Sequence, residues 1–234
     1  MIEGKKAIAI IPARGGSKGI PGKNVVDVAG RPLIAYTIAA ATNCDEIDRV
    51  VVSTDDTDIA GIAIREGAEV PWLRPAELAS DTSKTIDAVI YTLERIRSEE
   101  GEKYDLLVLL QPTSPLRREV DIKVAIRAAV DTGEDVVTIS EINDPPVLMR
   151  EYEEISDGVG RVKNYIDTSS TIRRQDMKKM YRVNGAVYVN HVDRLSLDTS
   201  LNDNPVGVLM PKERSIDVDD ETDLFMVRAL ITSE

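Results

Sequence analysis

The residues with the clearest chemical potential lie in one loop near the start of the chain. The segment IAIIPARGGSKGIPGKN, residues 8–24, begins as an apolar run and then presents four glycines, one arginine and two lysines without an acidic residue. Glycines directly after a strand let the backbone approach a ligand and present its N–H groups, while arginine and lysine supply charge for phosphate oxygens. The loop therefore predicts a site for a phosphate-bearing ligand.

Two familiar phosphate-binding motifs do not fit this loop. A P-loop requires GxxxxGK followed by Ser or Thr, but the spacing from Gly16 to Gly22 is one residue too long and Asn24 follows Lys23. The dinucleotide pattern GxGxxG is absent, and no helical pattern begins at once. The loop is therefore interpreted as a triphosphate cradle of another kind.

Both side chains and backbone amides are expected to bind phosphate oxygens in this predicted cradle. Ser17 and the glycine N–H groups are expected to complete a cage around the anionic oxygens. The cations expected to meet those oxygens are Arg14, Lys18 and Lys23. A solvated, flexible turn is the alternative, but two prolines stiffen the loop, and it follows a strand at the edge where open α/β sheets bind ligands.

The composition limits the partners that this chain can have. The formal net charge is −12 over 234 residues, so we expect no nucleic-acid partner and no anionic membrane surface. With one cysteine, Cys44, an intrachain disulfide is excluded, and we expect this side chain to be buried or half-buried. No apolar run has the length of a membrane span and the start does not read as a signal peptide, so we expect a cytoplasmic protein.

Apolar runs of strand length alternate with helical patterns, which predicts a Rossmann-like α/β fold. The chain has only one phenylalanine and one tryptophan, and a core of Val, Ile, Leu and Ala suits a mostly parallel sheet flanked by helices. The predicted strands are Ala7–Pro12, Arg49–Thr54, Asp105–Gln111, Asp135–Ser140, Ala186–Asn190 and Val206–Met210. A closing helix is predicted over Asp219–Ile231, with Leu224, Val227 and Leu230 buried.

The alternation breaks near residues 143–182, where an acidic patch precedes a basic run. A polar insertion of this length predicts an arm within a single domain that spans residues 1–234.

Four later blocks add to the opening loop: RPAELASDT, LLQPTSPLR, NGAVYVN and SIDVDDETDL. Together, in this order, the five blocks resemble those of the acylneuraminate cytidylyltransferases, also called CMP-sialic acid synthetases. The blocks span the chain from Ile8 to Leu224. The resemblance implies a nucleotidyltransferase fold and an enzyme that transfers CMP from CTP to the anomeric hydroxyl of a nine-carbon nonulosonic acid. Pyrophosphate would be released, Mg²⁺ would be the cofactor, and the arm would form a homodimer.

The resemblance also implies roles for residues outside the cradle. The cytosine would be bound by Arg74, Ser83 and Thr85, and Asn24 would lie near the ribose or the phosphates. The acidic sugar would be bound by Gln111, Arg174, Asn184 and Tyr188. Catalysis would rest on the charges of Arg14 and Lys23.

The metal site is also supported by the residue pattern. If SIDVDD is extended, Asp217 and Asp219 point to one face, and carboxylates are the oxygen ligands that Mg²⁺ prefers. The alternative is that these acids only precede and cap the last helix, which fits Asp220 and Glu221 well.

Several other residues have an alternative interpretation that is purely structural. Ser80, Asp81 or Thr82 could merely cap the helix that follows. For Tyr188, a location in the core and one in the sugar pocket are equally expected. His191, the one histidine, is expected at the surface or as a cap.

Arg150 stands where several members of the resembled family have a lysine, so a planar fork replaces a point charge.

Two other functions stay open. One is a cytidylyltransferase for the eight-carbon acid Kdo, and the other is a catalytically inactive, CTP-binding regulatory module. The residues do not distinguish N-acetylneuraminic, legionaminic and pseudaminic acids, and no side chain stands out as the general base.

Overall fold

The computed structural model describes residues 2–17, 19–144, 146–167 and 178–233. Its α-helices are α1 (Leu33–Thr42), α2 (Thr57–Arg65), α3 (Thr85–Glu100), α4 (Glu119–Thr132) and α5 (Glu221–Thr232). Its strands are β1 (Ala7–Pro12), β2 (Asp27–Val28), β3 (Arg31–Pro32), β4 (Arg49–Ser53), β5 (Leu106–Leu109), β6 (Val136–Glu141), β7 (Arg150–Ser156), β8 (Val159–Asn164), β9 (Tyr181–His191) and β10 (Val206–Leu209).

The described residues form one six-stranded sheet in the order β10-β6-β9-β5-β1-β4. β1 pairs in parallel with β4 and β5, and β10 pairs in parallel with β6. β9 runs antiparallel to both of its neighbours, β5 and β6. The predicted α/β fold with a mostly parallel sheet is therefore confirmed, with β9 as the reversed strand.

Helices cover both faces of the sheet. Alternate β1 residues point to opposite sides, so Ala9 and Ile11 join a core cluster with α1, α2 and α4, while Ile8 and Ile10 join a second cluster with α3. These strand side chains are fully buried. Aliphatic residues fill both layers, as expected from a chain so poor in aromatic side chains.

The helix termini agree in part with the sequence. Asp56 caps α2 by accepting hydrogen bonds from the N–H groups of Asp58 and Ile59, and Asp220 caps α5 as part of a capping box. Within α5, Leu224 and Val227 are buried, but Leu230 is 37% exposed, so its predicted burial is wrong. Leu230 lies in the last turn of the helix, where it is the neighbouring Ile231 that packs against the third core cluster.

His191 was expected at the surface or as a cap. The surface expectation is wrong, whereas His191 does precede the short 3-10 turn Val192–Arg194 as its N-cap residue, without a side-chain cap hydrogen bond. Its ring is buried at the end of β9, with Nδ1 3.0 Å from the Asp135 carboxylate. The two residues are 56 positions apart in the chain, so no local pattern could have signalled the pair. Cys44 is buried, as predicted, and burial raises the pKa of its thiol to about 11.

The predicted arm contains an antiparallel hairpin, β7–β8, that pairs with no other described strand. Its apolar side chains are open to solvent: Tyr152, Ile155, Val159 and Val162 are each more than half exposed. Among the described residues, no helix is long and apolar enough to cross a membrane.

Candidate active site

The opening loop borders a cavity of about 480 Å³ at the carboxyl end of β1, here called the nucleotide cavity. Every described residue that was predicted to bind the nucleotide lines it: Arg14, Ser17, Lys23, Asn24, Arg74, Ser83 and Thr85. Lys84 also lines the cavity and is its fourth cation, after Arg14, Lys23 and Arg74. The carboxylates in the lining are those of Asp81 and Asp219. Within the described residues, the lining therefore carries two more positive than negative charges, in a protein whose net charge is −12.

The cradle loop is held in place at several points. Ile20 is buried in the third core cluster together with Val218 and Leu224. The Cα of Gly19 comes so close to the neighbouring backbone that a Cβ would lie 2.5 Å from the Asp219 carbonyl oxygen. Gly22 adopts a left-handed conformation directly before the short turn that presents Lys23. These anchors argue against a solvated, flexible turn.

The polar side chains of the cradle are fixed by hydrogen bonds across the cavity. Lys23 donates from Nζ to the Val218 carbonyl oxygen at 2.8 Å and lies 3.3 Å from Asp219 Oδ1. Arg14 donates from Nη1 to the Ser80 carbonyl oxygen and pairs with Asp81, each at 3.0 Å. The Asn24 amide donates to the Arg14 carbonyl oxygen at 2.9 Å. The loop thus connects the start of the chain with the segments 80–83 and 218–219.

Ser80 and Asp81 line the cavity wall, and none of residues 80–82 caps the helix. Helix α3 begins at Thr85 and its N-cap is Lys84, so the interpretation of Ser80, Asp81 or Thr82 as helix caps is wrong. The Ser80 hydroxyl instead lies 2.7 Å from the Ser83 hydroxyl, which donates to the Glu77 carbonyl oxygen. This hydroxyl cluster turns the chain so that Ser83 faces the cavity.

Arg74 enters the nucleotide cavity from the loop before α3. It is 7% exposed, and its Nε atom has no hydrogen-bond partner. Burial lowers the pKa of this guanidinium, an effect that Asp55 opposes and Arg14 increases. Two residues earlier, Trp72 packs into the second core cluster with the Arg95 guanidinium 4.5 Å above its ring. Because Arg74 lines the cavity, its guanidinium charge is placed to attract an anionic or polar ligand.

Gln111 lies where three cavities meet. It borders the nucleotide cavity, a second cavity of about 360 Å³ with Asn184, Tyr188 and Asp217, and a third of about 420 Å³ along residues 197–202. The buried Arg117 donates from Nη1 to the carbonyl oxygens of Gln111 and Ala186. The second cavity is called the acceptor cavity below. Since Gln111 is shared, a ligand in the acceptor cavity lies next to one in the nucleotide cavity.

The two β9 residues that were predicted to bind the sugar, Asn184 and Tyr188, both line the acceptor cavity and differ in their hydrogen bonds. The Asn184 amide makes four hydrogen bonds inside the protein: its Oδ1 accepts from Thr138 and Ala186, and its Nδ2 donates to Ser215 and the Met210 sulfur. The Tyr188 hydroxyl donates to Asn202, and burial is the main cause that raises its pKa to about 12. Contact of either residue with a sugar stays a prediction.

The predicted metal ligands offer a suitable donor set. Asp217 Oδ1 is buried without a hydrogen-bond partner, and the pKa of this carboxyl is raised mainly by burial. Asp219 lines the nucleotide cavity, and its charge acts on Asp217. No group of three or more acidic, histidine or cysteine ligands occurs in the described part of the chain. Mg²⁺ takes oxygen ligands and usually keeps waters and phosphate oxygens, so an orphaned carboxylate oxygen beside a second carboxylate fits it.

The remaining predicted residues divide into two groups. Lys18 and Arg174 lie outside the described residues. Arg150, at the start of β7, donates to the carbonyl oxygens of Val147 and Met149 and so supports its own turn.

Two cationic cavity residues were missed by the sequence analysis. Lys84 borders both the nucleotide cavity and the third cavity, and Arg182 lines the acceptor cavity opposite Asp217. Both are charged neighbours of predicted residues, and that proximity was the available signal.

A cationic cavity at the carboxyl ends of a mostly parallel sheet, joined to a second polar cavity, defines a nucleotidyltransferase site. The family model for cytidylyltransferases matches residues 8–206, and the chain belongs to the cytidylyltransferase family. The chain is 36% identical to a CMP-N,N'-diacetyllegionaminic acid synthase from Legionella pneumophila over 97% of this chain and 96% of that protein. It is 32% identical to an N-acylneuraminate cytidylyltransferase from Escherichia coli over 93% of this chain and 50% of that longer protein. The predicted resemblance is therefore confirmed.

The solved structures agree on the fold. The structure of a CMP:2-keto-3-deoxy-manno-octonic acid synthetase complexed with CTP superimposes with a TM-score of 0.70 at 18% identity. The match covers 97% of this chain and 99% of that one. At this identity the likeness concerns the fold alone.

Proposed function

We propose that this chain, acting as a single domain with an inserted arm, transfers CMP from CTP to the anomeric hydroxyl of a nine-carbon nonulosonic acid. One observation carries the proposal: the cationic nucleotide cavity and the acceptor cavity share Gln111, in a member of the cytidylyltransferase family. Two ligands bound side by side in this way are set up for group transfer between them.

In the proposed reaction, the anomeric oxygen forms a bond to the α-phosphorus of CTP. The bond from that phosphorus to the bridging oxygen breaks, pyrophosphate leaves, and the hydroxyl proton passes to solvent water. Arg14 and Lys23 hold the triphosphate and balance the charge that develops on its oxygens. Arg74, Ser83, Thr85 and Asn24 hold the nucleoside, with Ser17 and Lys18 completing the cradle.

On the acceptor side, Gln111 and Tyr188 orient the acid, with Asn184 and Arg174 as further contacts. Asp217 and Asp219 would hold Mg²⁺, which would supply positive charge to offset that of the phosphates and of the attacking oxygen. The unpartnered Asp217 oxygen supports this assignment.

We also propose that the arm mediates a homodimer. An isolated two-stranded hairpin is only marginally stable in water, and hairpin β7–β8 exposes most of the surface of its larger apolar residues. A second copy that covers these side chains would remove them from solvent. A cytoplasmic location is part of the same proposal.

The test is pyrophosphate release from CTP and Mg²⁺ with a panel of acids. N,N'-diacetyllegionaminic acid comes first, because the relative named for it is 36% identical. N-acetylneuraminic acid, pseudaminic acid and Kdo complete the panel. Release with a nine-carbon acid, and formation of the corresponding CMP-sugar by mass spectrometry, is the expected result.

Two results would overturn the proposal. Turnover with Kdo alone would assign the chain to the eight-carbon acid instead. CTP binding in calorimetry without turnover on any acid would make the chain a CTP-binding regulatory module.

A further inference from the structure

Asp55 connects two walls of the nucleotide cavity through one oxygen atom. Its Oδ1 accepts a hydrogen bond from the Gly15 N–H at 3.1 Å and lies 3.8 Å from Nη2 of Arg74. Gly15 belongs to the cradle loop after β1, whereas Arg74 comes from the loop before α3. Asp55 itself follows β4, so three loops meet at this carboxylate.

Arg74 depends on Asp55 for its charge balance. Among the residues that the structure describes, Asp55 is the one carboxylate within 4.0 Å of the Arg74 guanidinium. Arg14 acts in the opposite direction, because its positive charge disfavours a second cation in the same cavity. The carboxylate therefore lies where it offsets the repulsion between two arginines that line one cavity.

A purely structural role does not account for this placement. The cap of α2 is Asp56, whose Oδ1 accepts the first N–H groups of that helix, so Asp55 is not needed to start it. The Asp55 side chain is 28% exposed and fills no part of the apolar core. The Asp55 side chain instead contacts Gly15 in the cradle loop and Arg74 in the loop before α3.

We propose that Asp55 is a positioning residue for CTP, one that fixes the distance between the cradle loop and Arg74 before the nucleotide binds. The inference rests on the proposed function for the identity of the ligand. Because the two cavity walls already have their bound arrangement, less conformational entropy is lost when the nucleotide binds. The affinity for the nucleotide is therefore higher, and the affinity for the acid is unchanged.

The test uses Asp55→Asn, which removes the charge while its amide oxygen can still accept the Gly15 N–H. We expect the Kd and KM for CTP to rise about tenfold, an effect between those of losing an exposed ion pair and a fully buried one, because the Asp55 carboxylate is partly exposed. The KM for the acid is expected to stay within about twofold. Asp55→Glu restores the charge at a longer reach and is expected to recover part of the CTP affinity.

Asp58→Asn is the matched control, since it removes one negative charge from an exposed position three residues later in the same segment. Unchanged CTP affinity in Asp55→Asn, with a wild-type enzyme that binds CTP normally, would overturn the inference and leave the proposed function intact. Equal losses for CTP and the acid, together with a lower Tm, would also overturn it, because they indicate a structural role. A wild-type chain that does not bind CTP would instead refute the proposed function.

Discussion

Gly185 offers the sharpest way to separate acceptor binding from nucleotide binding. It has a φ of +75° in β9, and a Cβ at this position would lie 2.8 Å from Gln111 Oε1 and 3.5 Å from Asp217 Oδ2. Gly185→Ala therefore places a methyl group at the junction of the two cavities. The first atom that it meets is the end of a flexible side chain, so Gln111 can move and the fold can survive.

The cost of Gly185→Ala can be worked out in two parts. A non-glycine residue in the left-handed region costs about 1–2 kcal/mol, which corresponds to a fall in Tm of about 2–8 °C for a chain of this length. Displacement of Gln111 would remove the hydrogen bond proposed between this side chain and the acidic sugar. A hydrogen bond to a charged group contributes about 1.5–3 kcal/mol, so kcat/KM for the acid is expected to fall about 10- to 150-fold.

The assay measures kcat/KM for the acid and the KM for CTP, with Tm measured in parallel. Gly133→Ala is the matched control: Gly133 has a φ of +67° after α4, and a Cβ there would meet nothing within 4 Å. The control should show a similar loss of Tm and wild-type kinetics. Equal kinetics in the two variants would refute the argument that Gln111 contacts the acid.

Three further predictions test other parts of the molecule. Asp217→Asn removes the charge of the carboxylate whose Oδ1 is buried without a partner. Mg²⁺-dependent turnover is expected to fall about a hundredfold, while CTP binding without metal is kept. An unchanged Mg²⁺ titration would show that Asp217 is not a metal ligand. Burial raises the pKa of the Cys44 thiol to about 11, so the unfolded chain loses this proton first and the stability of the neutral thiol is lost as pH rises from about 9 towards 11. The urea midpoint should therefore fall less over this range in Cys44→Ala than in wild type, and equal falls would contradict the assignment. Val162→Asp charges a side chain that is 65% exposed on the hairpin, and light scattering should show a monomer, with Asp157→Asn at the hairpin turn as a dimeric control; a monomeric wild type would refute the dimer.

The alternation of apolar runs and helical patterns was sufficient to predict most of the sheet. β1 was predicted at its observed bounds, and β4 and β10 differ by one residue at one end. The prediction for β9 was short, Ala186–Asn190 against Tyr181–His191, because Gly185 reads as a strand breaker although it sits in an irregular part of the β6–β9 pairing. The direction of β9 was also beyond reach, since a buried strand has the same apolar composition whether it runs parallel or antiparallel.

The site was predictable where its residues are clustered in the sequence, as in the cradle loop. Its cross-chain contacts were not: Asp55 reaches Gly15 over 40 positions, and Lys23 reaches Asp219 over 196. Such pairs depend on the order of strands in the sheet, which no local pattern records. Arg182 was passed over for a related reason, because its place in the acceptor cavity depends on where β9 enters the sheet.

The position of Trp72 gives the protein an optical reporter of its own. It is the one tryptophan in the chain. It packs against the second core cluster, with the Arg95 guanidinium over its ring, and lies two residues before Arg74 of the nucleotide cavity. Emission excited near the red edge of protein absorption therefore comes from a single site, without the averaging that several indoles impose. A displacement of this loop would change the stacking of Arg95 on the ring and so the emission. Stopped-flow fluorescence can then show whether this loop moves when the nucleotide binds to the unlabelled, unmutated protein.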